Sequence, residues 1–123
     1  MIAIRLFLKL DPETRIGHGK VSLLEAIAET GSISAAGRAT GMTYRRAWEL
    51  IDHLNKAFGR PLVEGHTGGA GGGGAALTDL GREVVERYRA LLLATEEAAA
   101  PHVAALEALM AAPEAQDGLD DGC

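Results

Sequence analysis

The sequence contains only one cysteine, Cys123, which is also its last residue. A single cysteine forms no disulfide within the chain and builds no cysteine-based zinc site. No window approaches the roughly 18 consecutive apolar residues of a membrane span. The first ten residues also lack the long apolar region and the small-residue cleavage site of a signal peptide. These absences favour a cytoplasmic protein that does not enter a membrane.

Aromatic residues make up only 4% of the 123 residues, although 47% are hydrophobic, so the core must consist of Ala, Leu, Ile and Val. Four histidines, at positions 18, 53, 66 and 102, include no pair at a spacing typical of metal ligands. No Ser-His-Asp or paired-carboxylate grouping can be argued from spacing. The sequence predicts one globular domain that is not an enzyme and holds neither cofactor nor metal.

Charge is unevenly distributed along the chain. Residues 1–60 contain nine Lys/Arg and six Asp/Glu, a net charge of +3, and residues 61–123 contain three Arg and eleven Asp/Glu, a net charge of −8. Such asymmetry predicts a basic working surface and an acidic remainder. The overall charge of −5 therefore does not exclude nucleic acid as a partner.

Hydrophobic periodicity and capping residues predict the secondary structure. The expected elements are a strand over Ala3–Leu10, a turn at Asp11-Pro12, a helix around Leu23–Ala28 that stops at Gly31, a helix over Ile33–Thr40 with Ser32 as N-cap, a helix over Tyr44–Phe58 with Thr43 as N-cap, and a hairpin of Leu62–Glu64 and Ala75–Leu77 with a glycine-rich tip.

A long final helix is predicted over about 78–112, with Thr78 as its N-cap. Pro101 is expected to kink or restart this helix. Residues 1–112 are predicted to form the domain, and residues 113–123, which are small and acidic, a disordered tail. The fold class is therefore mainly α, with a small β component (α+β).

Two short helices joined by a tight glycine turn are typical of a helix-turn-helix. Gly37 stands where the two helices cross, and Gly41 stands at a turn position that needs positive φ. Spacing alone leaves any helical hairpin as the alternative. The segment Ile33–Arg60, however, contains five Lys/Arg against two Asp/Glu, a hairpin follows it, and a long helix comes last. This order indicates a winged helix-turn-helix with a C-terminal dimerisation helix.

The segment Gly31–Gly81 resembles the LysR-type winged helix and, more closely, the N-terminal DNA-binding domain of the ModE molybdate-responsive regulators. The residues that carry the resemblance are Gly17-His18-Gly19, Leu23-Leu24-Glu25, Gly31-Ser32-Ile33-Ser34, Tyr44-Arg45-Arg46-Ala47-Trp48 and the glycine-rich run Thr67–Gly74. The resemblance extends over about residues 1–110. It implies a homodimer whose recognition helices enter successive major grooves, with the wings along the flanking backbone.

Two departures from the family bear on function. The ModE proteins bind molybdate through C-terminal domains, for which this sequence leaves no room, so molybdate binding is not expected here. The position of Glu49 is often an arginine facing DNA in the LysR type, whereas here it is acidic.

Arg45 and Arg46 occupy the first turn of the predicted recognition helix, where side chains reach base edges. Arg45 points away from the core stripe, so it is expected to contact a base, and Arg46 a phosphate. Two solvated arginines are the alternative. Tyr44 and Trp48 lie on one flank and either contact a thymine methyl group or pack under the wing, with packing favoured for Trp48.

The glycine run lacks the Lys-Ser/Thr of a nucleotide-binding P-loop. Its backbone N–H groups are expected to approach DNA phosphates, the alternative being an unstructured hairpin tip. The predicted DNA-binding residues are Ser32, Ser34, Thr43, Tyr44, Arg45, Arg46, Trp48, Thr67, Gly68, Gly69, Gly71 and Gly72.

An apolar stripe on the last helix is longer than a compact domain of this size can cover, so it predicts a two-fold interface with a second copy. The predicted interface residues are Val84, Tyr88, Leu91, Leu92, Thr95, Ala99, Val103 and Leu106.

The sequence thus predicts a homodimeric regulator of transcription that binds double-stranded DNA sequence-specifically. A separate effector-sensing protein is a possible additional partner. The alternative is a protein-interaction module or subunit in which DNA binding is vestigial.

Overall fold

A computed structural model of the chain describes residues 4–66 and 74–110. Residues 5–90 form one compact unit, and Ile4 with residues 91–110 belongs to a second. The elements are β1 (Phe7–Asp11), β2 (Thr14–Gly17), α1 (His18–Thr30), α2 (Ile33–Ala39), α3 (Tyr44–Phe58), β3 (Val63–His66), β4 (Gly74–Leu77) and α4 (Asp79–Met110). This confirms the predicted winged helix-turn-helix with a long last helix. The predicted tail, 113–123, lies outside the described residues.

The core of the 5–90 unit forms around α1. Its buried face consists of aliphatic residues, and the largest side chains without solvent contact elsewhere are Leu54 of α3 and Leu62 before β3. Burial of each such side chain stabilises the fold by about 1.5–3 kcal/mol. Among the described residues, Tyr88 of α4 is the one aromatic side chain in this core, which is otherwise mainly aliphatic.

The three predicted N-caps are confirmed. Ser32 Oγ accepts from the Ala35 N–H at 3.0 Å, and Thr43 Oγ1 accepts from the Arg46 N–H at 3.0 Å. Thr78 Oγ1 accepts from the Gly81 N–H at 3.1 Å. Each bond pairs one backbone donor that has no partner within its own helix.

The two glycines of the helix-turn-helix stand where the sequence predicts them, Gly37 within α2 and Gly41 in the turn before α3. Gly41 has a φ of +76°, which only glycine adopts without strain. At Gly37, a Cβ atom would lie 3.2 Å from the Met42 carbonyl oxygen and 3.5 Å from Ala47 Cβ. The close approach of the two helices therefore depends on the missing side chain at position 37.

The N-terminal strand differs from its prediction. It begins at Phe7 rather than Ala3 and pairs antiparallel with β2, a strand that was not predicted. Asp11 Oδ1 closes the turn by accepting the N–H groups of Glu13 and Thr14, both at 2.8 Å. The strand register shifts between Lys9 and Asp11, so Leu10 is 54% exposed and does not continue the buried face.

The wing consists of β3 and β4, which pair antiparallel from Val63↔Leu77 to His66↔Gly74. The Ala75 N–H donates to the Gly31 carbonyl at 2.9 Å and ties β4 to the end of α1. Leu62 is fully buried but precedes β3 rather than forming part of it. The predicted hairpin is confirmed, with its strands shifted by one or two residues.

Helix α4 continues through Pro101, so of the two effects predicted for this proline, a kink or a restart, the restart is wrong. Tyr88 is a second correction. Its side chain is only 3% exposed, and its Oη donates to the Leu6 carbonyl at 2.8 Å within the 5–90 unit. The side chain of Tyr88, which was predicted to contact a second copy, is therefore buried in the chain's own core. Among the described residues, no helix has both the length and the apolar composition needed to cross a bilayer.

A bidentate ion pair joins α4 to α1 and makes stability depend on pH. Arg89 Nε donates to Glu25 Oε2 at 2.8 Å and Nη2 donates to Oε1, and this hydrogen bonding lowers the pKa of Glu25. A carboxyl group with a lowered folded-state pKa stabilises the fold above its unfolded pKa, and the contribution disappears as pH falls through the folded value. Glu25→Gln is expected to lose about 1 kcal/mol of unfolding free energy at pH 7, since both side chains are partly exposed.

Urea unfolding of both proteins at pH 7 and pH 3 measures this contribution. The difference between wild type and Glu25→Gln is expected to be smaller at pH 3 than at pH 7. An equal difference at both values would show that the charge of Glu25 is irrelevant.

Candidate nucleic-acid interface

The first turn of α3 presents two arginines to solvent. Ala47, Ile51 and Leu54 are buried and fix the rotation of the helix about its axis. Arg45 and Arg46 are thereby left exposed, directly after the Thr43 cap. The Arg45 side chain is 86% exposed, and its Nε lies 3.4 Å from Glu49 Oε2 one turn later. An exposed pair of this kind contributes little stability, so it does not prevent Arg45 from contacting a ligand.

A groove of about 490 Å³ runs between the helix-turn-helix and the wing. Four of the predicted DNA-binding residues line it together: Ser32, Ser34, Tyr44 and Trp48. The wing contributes Val63, Gly65, Gly74 and Ala75 to the same groove. Arg45 does not line this groove, but lies beside Tyr44 and Trp48 at its α3 side.

Packing of Trp48 under the wing, the arrangement expected from the sequence, is not found. The indole is 49% exposed, and Tyr44 is 57% exposed. Gly65 and Gly74 line the opposite side of the groove and have no side chains that would cover an aromatic ring. Both aromatic rings are consequently accessible from the groove.

The two serines already accept hydrogen bonds from residues of α2. Ser34 Oγ accepts from Arg38 Nη1 at 3.0 Å, and Ser32 Oγ accepts from the Ala35 N–H. Their hydroxyl protons retain the capacity to donate to an anion in the groove.

Asn55 was not singled out from the sequence, although it positions the wing. Its Oδ1 accepts from the Leu62 N–H at 2.8 Å, one residue before β3 begins. The bond fixes the start of the wing against α3. An asparagine inside a helix gives no sequence signal for a partner seven residues later.

The remaining predicted residues divide into two groups. Thr67, Gly68, Gly69, Gly71 and Gly72 lie outside the described residues. Of the predicted interface residues on α4, Leu91 and Leu106 are 39% and 60% exposed. Four further predicted interface residues in the second unit are half-buried: Leu92, Thr95, Ala99 and Val103. Val84 is half-buried within the 5–90 unit.

The described residues include no group of three or more metal-ligating side chains. The residues of the interface provide hydrogen-bond donors, cations and aromatic faces. These are the groups with which proteins contact phosphates and base edges.

Residues 19–82 match the family model described as bacterial regulatory helix-turn-helix protein, lysR family. The matched segment begins in α1, includes the helix-turn-helix and both strands of the wing, and ends in the first turn of α4.

Among characterised proteins, the chain is 42% identical over 87 residues to the molybdenum transport protein ModE of Azotobacter vinelandii, a match that covers 71% of this chain and 32% of that protein. It is 41% identical over 85 residues to the DNA-binding transcriptional dual regulator ModE of Escherichia coli K12, covering 69% and 32%. The chain thus spans about a third of the length of these relatives.

Among solved structures, the fold is similar to a crystal structure of a CbnR_DBD–DNA complex. The TM-score is 0.55 at 22% sequence identity, and the match covers 71% of this chain and 94% of that one.

Proposed function

Because the chain belongs to the lysR family of bacterial regulatory helix-turn-helix proteins, we propose that it binds double-stranded DNA sequence-specifically as a homodimer and regulates transcription. The observation that carries this proposal is the first turn of α3. Two arginines stand there on a capped helix, exposed beside a groove lined by aromatic rings and hydroxyl groups. The proposal includes no catalytic step, places the protein in the cytoplasm, and leaves the sensing of an effector to a separate protein.

In this proposal α3 lies in the major groove, where a helix fits between the strands. Arg45, whose side chain is 86% exposed, donates two hydrogen bonds to a guanine. Arg46 contacts the adjacent backbone, together with the Thr43 hydroxyl. Tyr44 and Trp48 then meet bases or sugars at the entrance of the groove, and the Ser32 and Ser34 hydroxyls donate to a phosphate.

The wing contacts the flanking backbone in the same arrangement. Thr67, Gly68, Gly69, Gly71 and Gly72 lie between the paired ends His66 and Gly74 of its two strands. Glycine residues leave backbone N–H groups accessible, so a phosphate can approach them without meeting a side chain.

A second copy pairs through the 91–110 segment of α4. Leu92, Ala99, Val103 and Leu106 recur at intervals of three, four or seven residues and so share one helix face. Leu109 and Met110 near the end of the helix are 72% and 76% exposed. This apolar face is half-buried to exposed along its length, and it is covered when the same helix of a second copy packs on it around a two-fold axis.

Arginine variants test the proposed contacts. On a duplex recovered by selection from random sequence, Arg45→Ala is expected to weaken binding by about 1–3 kcal/mol and to relax the preference at one base pair of each half-site. Arg46→Ala is expected to weaken binding to all sequences alike and to reduce the salt slope by about one. Fluorescence anisotropy at several salt concentrations measures both effects.

Lys56→Ala is the matched control, because Lys56 lies in the last turn of α3 and is paired with Asp52 at 2.9 Å. The Lys56→Ala variant is expected to bind DNA with the affinity of the wild type. If all three variants bind DNA equally, α3 is not the recognition helix, and the protein-interaction module becomes the better interpretation.

A further inference from the structure

The N-terminal hairpin has an exposed basic face. Lys9 and Arg15 are paired across β1 and β2, so their side chains lie on one side of the hairpin. Thr14 and Ile16 are buried, whereas Phe7, on the outer side with Lys9 and Arg15, is 56% exposed. The Arg15 guanidinium lies over the Phe7 ring, with Cζ 5.5 Å from the centroid. This cation–π contact holds the guanidinium on the outer face.

A third cation, Lys20 of α1, is hydrogen-bonded to the hairpin. Its Nζ donates to the Arg15 carbonyl at 2.6 Å. The pKa of Lys20 is lowered by partial burial and then by the positive charges of Arg46 and Arg15. Since α1 packs against both β2 and α3, these three cations stand on neighbouring elements.

Within the described part of the chain, no carboxylate forms an ion pair with Arg15, Lys20 or Arg46. The pairs present involve other cations: Arg45, Lys56, Arg82, Arg87 and Arg89. The nearby Asp11 carboxylate at the hairpin turn accepts two backbone N–H groups instead. Three cations that lack a carboxylate partner repel one another, and an anion placed among them reduces the repulsion.

We propose that Arg15, Lys20 and Arg46 together bind the DNA backbone beside the recognition helix, so that the N-terminal hairpin contacts DNA in addition to α3 and the wing. The proposal rests on the proposed function, since it needs α3 on the same DNA. It goes beyond the family match, which begins at residue 19 and leaves Arg15 and the whole hairpin outside. The hairpin and the glycine-rich wing then contact the backbone as two separate elements.

Lys20→Gln tests the contact, because it removes the charge and keeps a side chain that donates hydrogen bonds. The probes are a duplex recovered by selection on the wild-type chain and a random duplex of equal length. The affinity is expected to fall by about five- to tenfold at 0.1 M salt, and the slope of log affinity against log salt by about one. Because a phosphate contact carries no sequence information, the factor is expected to be the same on both duplexes.

Arg15→Gln is expected to behave in the same way, Lys20→Arg to retain wild-type affinity, and Lys56→Gln to change nothing. Circular dichroism melts verify that each variant is folded. A loss of affinity with an unchanged salt slope would make Lys20 a structural tether of the hairpin and overturn the proposal, as would unchanged binding by both glutamine variants. A wild-type chain that binds neither duplex would instead overturn the proposed function, and this inference with it.

Discussion

Leu92→Glu is expected to convert the protein from a dimer at micromolar concentration into a monomer with little affinity for DNA. Leu92 lies on the same face of α4 as Ala99, Val103 and Leu106, and the two-fold axis places a glutamate from each copy in the interface. Like charges brought together in this way cost several kcal/mol. Since each 1.4 kcal/mol is a factor of ten, the dissociation constant is expected to rise about a hundredfold or more.

Leu93→Glu is the matched control for this substitution. Leu93 is 56% exposed and lies about 100° around the helix from Leu92. Leu93→Glu makes the same change in size and charge at a position outside the proposed interface, so the dimer is expected to persist. Sedimentation velocity distinguishes the two variants. A monomeric wild type, or a dimeric Leu92→Glu variant, would show that α4 does not pair two copies.

Gly81→Ala is expected to destabilise the fold by about 2 kcal/mol, although alanine is the better helix former. Gly81 is buried in the first turn of α4, and a Cβ atom there would overlap the Leu62 carbonyl oxygen. That carbonyl also accepts from the Thr78 N–H at 2.9 Å, so it cannot move away without loss of a hydrogen bond. Overpacking of this kind costs about 1–3 kcal/mol or more, which exceeds the gain in helix propensity of about 1 kcal/mol.

Gly19→Ala gives the comparison for Gly81→Ala. Gly19 also lies in the first turn of a helix, but a Cβ atom at this position has no other atom within 4 Å. The Gly19→Ala variant is expected to be as stable as the wild type or more stable by up to about 1 kcal/mol. Thermal melts at equal protein concentration separate the two variants, with Gly81→Ala expected about 10 °C below the wild type. Equal melting temperatures for both alanine variants would contradict the close packing of α4 on Leu62.

Local signals in the sequence predict most of the fold around the helix-turn-helix. Ser32 and Thr43 cap their helices through bonds to residues three positions later, and Gly41 has the positive φ that its turn needs. These features depend only on neighbouring residues. The strand β2 was missed because four residues give little periodicity, and its turn depends on the Asp11 side chain.

Contacts between distant residues explain the other differences. The apolar stripe on α4 predicts burial of Tyr88, but periodicity alone does not say whether the chain itself or a second copy buries it. The hydrogen bond from Tyr88 to Leu6, 82 residues away in sequence, shows that the chain itself buries this side chain. Trp48 is exposed because the wing residues opposite it are glycines. The proposed role of Lys20 depends on its hydrogen bond to the Arg15 carbonyl, which forms only in the folded chain.

Selection of duplexes from a random-sequence pool by the wild-type chain tests the central claim most directly. Recognition by a two-fold dimer predicts that the recovered sequences share an inverted repeat. The centres of its half-sites are expected to lie about one DNA turn, roughly 34 Å, or a multiple of it apart. Enrichment is expected to survive a moderate increase in salt, because base contacts contribute to it. Recovered duplexes with no shared sequence would contradict sequence-specific recognition by α3.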